Sequence, residues 1–281
     1  MVKTKSLKQK NRAYWIKLFL SVAIFLTIIP IYYVIVNAFK DKNFILTSPV
    51  SLPLKTFTFD NVRSAFKSLN YPQAFMNSLI NVIISCTIMI IVGSMAAYAI
   101  SVVKSKELKI MYVATILVIT IPFQVVMIPL VIMLKNLNLL NNYFGTSLVY
   151  VALSLPLVIF LYTGFMRSLP KELGEAAIVD GCGFSRTYLS IYMPLMKTVT
   201  GTILILRGTF VWNDLLISKI TISRGRMTPL IPRLFSYASS QYNSWELMFA
   251  GTLLCAMPII ILFLFMQKTF IKGVVAGSVK G

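Results

Sequence analysis

The chain has 281 residues, of which 57% are hydrophobic and 12% charged, with 27 lysines and arginines against 8 acidic residues. Soluble domains carry roughly 25% charged residues, so this chain has too few polar groups to cover a water-facing surface, and its composition excludes a soluble domain. The net charge of +19 lies mostly in short segments between apolar runs, which excludes a folded basic module that binds nucleic acid.

Six apolar runs are each long enough to cross a bilayer as a helix, which takes about 20 residues. They cover residues 15–38, 75–103, 110–134, 146–165, 199–220 and 247–267. The sequence therefore predicts an all-α, polytopic membrane protein with six transmembrane helices. Prolines lie within several of these runs, including Pro122 and Pro129 in the third, and each removes a backbone donor and bends its helix.

The basic N-terminus followed by an apolar run also resembles a cleaved signal peptide. However, the run over residues 15–38 is too long for the apolar part of such a peptide, and no small-residue cleavage site follows it. We therefore expect an uncleaved first span. With the N-terminus inside, sixteen lysines and arginines fall in the inner segments and ten in the outer ones. This bias predicts a multi-pass protein of the cell (inner or plasma) membrane with both termini in the cytoplasm.

This topology divides the chain into five segments. They are a cytoplasmic tail 1–14, the first transmembrane helix 15–38, an extracytoplasmic loop 39–74, a core transmembrane domain of five helices 75–267, and a cytoplasmic tail 268–281. The longest polar stretch on the inner side is the loop 167–197 between the fourth and fifth spans. Two glycines within residues 181–183 interrupt it, so it is predicted to form two short helices.

A set of residues in this loop has a distinctive spacing. The set consists of Glu175, Ala176, Ala177, Asp180, Gly181, Ile191 and Pro194. The pattern resembles the EAA motif of importer permeases in the ABC superfamily, with Met193 in place of the usual leucine before the proline. The resemblance implies the type I ABC importer permease (MetI-like) fold and a coupling loop that docks on an ATPase. In such a loop Glu175 would pair with a basic residue of the ATPase, and the small alanines would allow close approach.

Other motifs resemble carbohydrate permeases similar to the maltose-system subunits. They are Asn77-Ser78-Leu79, Ala96-Ala97-Tyr98-Ala99, the prolines of the third span, Trp212-Asn213-Asp214, and the C-terminal residues from Lys272 to Gly281. The resemblance implies the second of two different permease subunits of an ATP-driven, binding-protein-dependent oligosaccharide importer. This subunit would form half of the translocation pathway.

The resemblance also implies partners. They are a second permease subunit forming a heterodimer, two ATP-binding subunits, an extracytoplasmic sugar-binding protein, the carbohydrate substrate and membrane lipid, with no nucleic acid. The chain has no Gly-x4-Gly-Lys-Ser/Thr phosphate loop. We therefore expect ATP and Mg to be bound by the partner ATPase, with no catalytic residue, metal or cofactor in this chain.

The fifth span contains a charge in its middle and another near its end. Arg207 lies about eight residues into the span, and by default such a group faces the bundle interior or a water-filled path. Asp214 lies about two turns further along the same face. We expect both to line one cavity on the substrate path with Asn213. Two alternatives are that Arg207 pairs with the partner permease and that Asp214 caps the span at the outer surface.

Two other functions fit parts of the sequence. A stand-alone channel or secondary transporter would explain the hydrophobicity and Arg207, but not the loop. A membrane-embedded hydrolase is disfavoured because the chain has no histidine and no Gly-x-Ser-x-Gly motif. The three cysteines, Cys86, Cys182 and Cys255, are too scattered to predict a disulfide framework or a metal cluster.

Overall fold

The computed structural model describes residues 7–103, 105–170, 172–223, 225–239 and 244–278. Its α-helices, in chain order, are α1 (Leu7–Ala38), α2 (Lys42–Thr47), α3 (Asp60–Ser68), α4 (Tyr71–Val102), α5 (Lys106–Val118), α6 (Phe123–Asn136), α7 (Tyr143–Met166), α8 (Glu172–Val179), α9 (Phe184–Thr187), α10 (Met193–Leu195), α11 (Lys197–Asn213), α12 (Leu216–Thr221), α13 (Leu230–Ser239) and α14 (Trp245–Ser278). A π-helical turn covers Tyr188–Tyr192, and a 3₁₀ turn covers Gly225–Met227. The predicted all-α fold is confirmed.

Among the described residues, four helices are long and apolar enough to cross a membrane. Their apolar stretches are Ala13–Ala38, Tyr71–Val102, Tyr143–Met166 and Trp245–Phe265. Two further pairs of helices are long and apolar enough only when the two members of each pair are taken together, and each pair is bent. The number of candidate spans is therefore four, or six if each bent pair crosses the membrane once.

The third predicted span is not one continuous helix. α5 and α6 make an angle of 103° across the break between Val118 and Phe123. Pro122 precedes α6 with an extended backbone, φ −62° and ψ 132°. Proline also disfavours helical backbone in the residue before it, which explains why the helix is interrupted there. Pro129, by contrast, lies inside α6.

The fifth predicted span, 199–220, is also interrupted. α11 ends at Asn213, and Asp214 has an extended backbone with ψ 134°. The Asp214 carboxylate accepts a hydrogen bond from the Ser218 backbone N–H at 3.0 Å, which satisfies one free donor at the start of α12. At its other end, α11 makes an angle of 71° with the stretch Phe184–Leu195.

The described residues fall into two compact units, one within 1–69 and 236–256 and the other within 70–235 and 257–281. In the first unit Ala38, Ala65 and Ala250 are fully buried in a small apolar cluster. Lys40 is also fully buried there, and its Nζ donates to the Ser48 carbonyl at 2.6 Å. This hydrogen bond offsets part of the cost of burying a charged group.

The second unit is built around α4, α7 and α11, and α4 and α7 form the most extensive helix pair. Its core contains fully buried Met89, Tyr150 and Val158. Gly93 of α4 faces Val158 of α7 so closely that a Cβ at Gly93 would lie 2.5 Å from Val158 Cγ1. Small residues of this kind let membrane helices approach each other closely.

Candidate functional site

The first half of the loop 167–197 is the helix α8, which carries the Glu-Ala-Ala sequence. Glu175 lies in its first turn, where a carboxylate interacts favourably with the helix dipole. Glu175 and Ala176 are exposed, whereas Ala177 is only 2% exposed. The helix therefore packs through Ala177 and presents the other two motif residues on its open side.

The motif glycine ends α8. Gly181 has a φ of +76°, a conformation that strains any residue with a Cβ. Its N–H donates to the Ile178 carbonyl at 3.0 Å, and the Cys182 N–H donates to the Ala177 carbonyl at 2.9 Å, so the last carbonyls of the helix are satisfied. Asp180 is exposed beside this turn. The positive φ therefore explains why the motif has a glycine at position 181.

The second half of the loop runs through α9, the π-helical turn and α10. Ile191 is half-buried within the π-helical turn, and Pro194 is exposed at the start of α10. Pro194 does not end this helical stretch, because α10 continues to Leu195 and the bend follows before Lys197. The Met193 N–H still donates to the Tyr188 carbonyl, so Pro194 lies within a continuous helical stretch, to which it contributes no backbone N–H.

An aromatic cluster joins this half of the loop to α4, which is not one of the two spans that flank the loop. The Tyr98 ring lies 4.6 Å from that of Phe184, 5.3 Å from that of Tyr188 and 5.1 Å from that of Tyr192, measured between centroids. The Tyr98 hydroxyl donates to the Phe184 carbonyl at 3.2 Å. The hydroxyls of Ser94 and Tyr188 form a hydrogen bond of 2.7 Å. The carboxyl-terminal end of α4 is therefore attached to the loop.

A cavity of about 450 Å³ lies beside α8, and Glu175, Ile178 and Phe184 are part of its wall. The side chains of Ile178 and Phe184 are 70% and 52% exposed. Gly174 lets α8 approach the second half of the loop closely, because a Cβ at this position would lie 2.9 Å from the Tyr192 hydroxyl. The wall of this cavity thus combines the Glu175 carboxylate with exposed apolar groups, which suits a protein partner with apolar side chains and a cation.

Arg207 lies half-buried on α11. Its Nε is buried and has no hydrogen-bond partner among the described residues. The guanidinium carbon lies 5.5 Å from the centroid of the Phe210 ring, within the range of a cation–π contact. The hydrogen-bonding capacity of this buried nitrogen is therefore not used within the described part of the chain.

Asn213 and Asp214 lie at the end of α11. Asn213 is exposed, and Asp214 accepts hydrogen bonds from the Tyr150 hydroxyl at 2.9 Å and from the Ser218 N–H. Both residues line a shallow depression of about 510 Å³, but Arg207 is not part of its wall. The structure therefore brings Asn213 and Asp214 together and leaves Arg207 apart. Asp214 keeps a helical φ of −71°, but its carboxylate is directed to Tyr150 and Ser218 rather than to a cavity shared with Arg207.

Tyr98 and Asn77 belong to the motifs of the second span, but the motifs do not predict a role for either residue. Asn77 is 3% exposed, and its Nδ2 donates to the carbonyls of Arg226 at 2.8 Å and Thr228 at 3.0 Å. In the sequence, both residues are distinguished only by their polar or aromatic character within an apolar helix. Their partners are far along the chain and are not visible in the sequence.

Comparison with known proteins supports the importer resemblance. The chain is 37% identical over 257 residues to the probable starch degradation products transport system permease protein AmyC of Thermoanaerobacterium thermosulfurigenes, covering 91% of this chain and 92% of that protein. It is 33% identical to the melibiose/raffinose/stachyose import permease protein MelC of Bacillus subtilis, covering 80% of this chain and 82% of that protein.

The fold is also similar to that of a solved structure. A chain from the crystal structure of a bacterial ABC transporter involved in the import of the acidic polysaccharide alginate superposes with a TM-score of 0.81. The match covers 96% of this chain and 100% of that chain at 18% identity, and confirms the predicted fold. The model of the family described as "binding-protein-dependent transport system inner membrane component" matches residues 89–275. The chain therefore belongs to the family of inner membrane components of binding-protein-dependent transport systems.

Proposed function

We propose that this chain is the transmembrane permease subunit of an ATP-driven, binding-protein-dependent carbohydrate importer. It docks on ATP-binding subunits through the loop 167–197. The observation that carries the proposal is the open side of α8, where exposed Glu175 and Ala176 of the motif lie next to exposed Ile178. Exposed apolar groups within a polar loop are typical of an interaction site, and a protein partner with a cation would also neutralise the carboxylate.

The proposed importer contains other chains. They are a second permease subunit, two ATP-binding subunits that hold ATP and Mg, and an extracytoplasmic sugar-binding protein. Permeases of this family are multi-pass membrane components that are in general not catalytic and have no cofactor of their own. Carbohydrate as the substrate class is supported by the relatives named for starch degradation products and for melibiose, raffinose and stachyose. These names favour an oligosaccharide.

The proposed orientation has both termini and the loop 167–197 in the cytoplasm. It is supported by the excess of lysines and arginines in the segments assigned to the inner side. In this orientation the carboxyl-terminal end of α4, with Tyr98, is at the cytoplasmic side, where an ATPase would bind. The amino-terminal end of α4 is then at the outer side, where a binding protein would deliver the sugar.

Purification of the tagged chain from its native membrane in a mild detergent tests the proposal. We expect ATP-binding subunits to co-purify, and reconstituted vesicles containing the complex to take up sugar only with ATP inside and the binding protein outside. A panel of labelled oligosaccharides competing for uptake would then identify the substrate. ATP-independent uptake by this chain alone would instead indicate a channel or secondary transporter.

We also propose that Arg207, Asn213 and Asp214 belong to the substrate path. The unused buried Nε of Arg207 and the open depression at Asn213 support this proposal. Asp214 has a structural role as well, because its carboxylate stabilises the start of α12. If Arg207 instead pairs with the second permease, its replacement is expected to release that subunit during purification.

Arg207→Ala and Arg207→Gln are both expected to lower uptake at limiting sugar by about tenfold or more, since a hydrogen bond from a charged group contributes about 1.5–3 kcal/mol. A shift in preference among the labelled oligosaccharides should accompany the loss. Lys219→Gln, which changes an exposed basic residue on α12, is the control. Unchanged uptake and preference in both Arg207 variants would exclude Arg207 from the path, and loss of the second permease subunit on purification would support the pairing alternative.

A further inference from the structure

The helix α4 contacts residues 225–230 near its amino-terminal end and the loop 167–197 near its carboxyl-terminal end. It spans 32 residues, which corresponds to roughly 48 Å at about 1.5 Å per residue. Its only proline lies in the first turn, where proline does not interrupt a helix. The helix is therefore continuous from one end to the other.

The amino-terminal end of α4 holds residues 225–230. Asn77 Nδ2 donates to two carbonyls of this segment, those of Arg226 and Thr228, while the Tyr143 hydroxyl donates to Asn77 Oδ1 at 2.7 Å. The neighbouring Ser78 Oγ accepts from the Leu230 N–H at 3.0 Å. Because Asn77 and Ser78 are each only 3% exposed, losing these hydrogen bonds would leave their buried polar atoms unsatisfied. We therefore expect the segment to move together with this end of the helix.

The carboxyl-terminal end of α4 holds the loop 167–197. Tyr98, 21 positions after Asn77 and roughly 32 Å along the helix, is 2% exposed and packs on three aromatic rings of the loop. One turn earlier, Ser94 is hydrogen-bonded to the Tyr188 hydroxyl. This aromatic cluster therefore consists of Tyr98 from α4 and of three rings from the loop that carries the motif.

Between its two ends α4 packs along α7 with close contact at Gly93. Close-packed interiors transmit displacement because they have little free volume in which to absorb it. A movement of the loop that displaces Tyr98 would therefore move the far end of the helix rather than bend its middle.

We propose that α4 is a rigid link between the loop 167–197 and residues 225–230, with Tyr98 and Asn77 as the positioning residues at its two ends. The proposal rests on the proposed function, since an ATPase bound to the loop would supply the movement. It adds a route by which ATP binding on one side of the membrane changes the segment on the side where the binding protein delivers sugar.

Hydrogen exchange of the purified complex in nanodiscs, with and without ATP plus vanadate, tests this link. In the wild type we expect the exchange of amides in both the loop and residues 225–230 to change on nucleotide trapping. In Tyr98→Ala the loop should still respond, while the response of residues 225–230 should fall at least about fivefold, the lower range of coupling between distant sites. Asn77→Ala should give the same selective loss, and Tyr98→Phe should retain most of the response.

Met89→Ala is the matched control, because Met89 is fully buried on α4 and lies between the two ends. It should lower thermal stability but keep the response of residues 225–230. An undiminished response in Tyr98→Ala, or an equal loss in Met89→Ala, would overturn the link. A wild-type complex in which the loop responds and residues 225–230 do not would also overturn it. Absence of any response in the wild-type loop would instead contradict the proposed docking on the ATPase.

Discussion

Glu175→Ala is expected to weaken the association of this chain with its ATP-binding subunits by about 30-fold or more, while the chain still inserts into the membrane. The Glu175 side chain is exposed at the edge of the cavity beside α8, so a partner that fills this cavity would remove water from the carboxylate. A carboxylate without water needs a cation on the partner. Truncating one member of such a buried pair typically costs about 2–5 kcal/mol, and titration of the purified ATPase against the chain in nanodiscs would measure the loss.

Glu172→Ala is the control for the effect of charge alone. Glu172 is also an exposed acidic residue in the first turn of α8, but it lies outside the motif and is not one of the residues that form the wall of the cavity. Its replacement should leave the affinity nearly unchanged, as expected for an isolated surface charge. Wild-type affinity in Glu175→Ala, or an equal loss in Glu172→Ala, would contradict the assigned role of Glu175.

Gly93→Ala is expected to destabilise the chain by about 1–3 kcal/mol, the usual cost of adding a methyl group to a well-packed core. The new Cβ would lie 2.5 Å from Cγ1 of Val158, which is fully buried. Val158 is β-branched, and its side chain in a helix has few alternative rotamers. Relief therefore requires α4 and α7 to separate, and the midpoint of thermal unfolding in detergent should fall.

Two further variants make this prediction specific. Val158→Ala removes the methyl groups that Gly93→Ala would meet, so the double variant should be more stable than the sum of the two single changes predicts. Gly164→Ala on α7 adds a Cβ that has no neighbour within 4 Å, and it should be neutral or slightly stabilising because alanine favours helix. Additive losses in the double variant, or a similar loss in Gly164→Ala, would show that the close contact is not the cause.

Local features of the sequence were sufficient to predict the class of the protein. In lipid the backbone must satisfy its own hydrogen bonds, so long apolar runs form helices. The spacing from Glu175 to Pro194 was sufficient to predict the family. The break in the loop was also predictable, because the two glycines at positions 181 and 183 disfavour a continuous helix.

Predictions that extended a periodic pattern across a helix end were less successful. The third run was predicted as one span, whereas α5 and α6 meet at 103° around Pro122. Arg207 and Asp214 were placed on one helical face, but α11 ends between them and Asp214 accepts from Tyr150 instead. A periodic pattern gives the face on which a residue lies, but it does not give the partner to which its side chain is hydrogen-bonded.

The sequence by itself determined that this chain lies in a membrane, that it is helical and that it carries the motif of importer permeases, because hydropathy and spacing are local properties. Only the tertiary structure decided that the loop is attached to α4, since the partners of Tyr98 and Ser94 lie 86 and 94 residues away. The same holds for Asn77, whose carbonyl partners are about 150 residues distant. Such contacts depend on which side chains meet when distant helices pack, and no local period of the sequence contains that information.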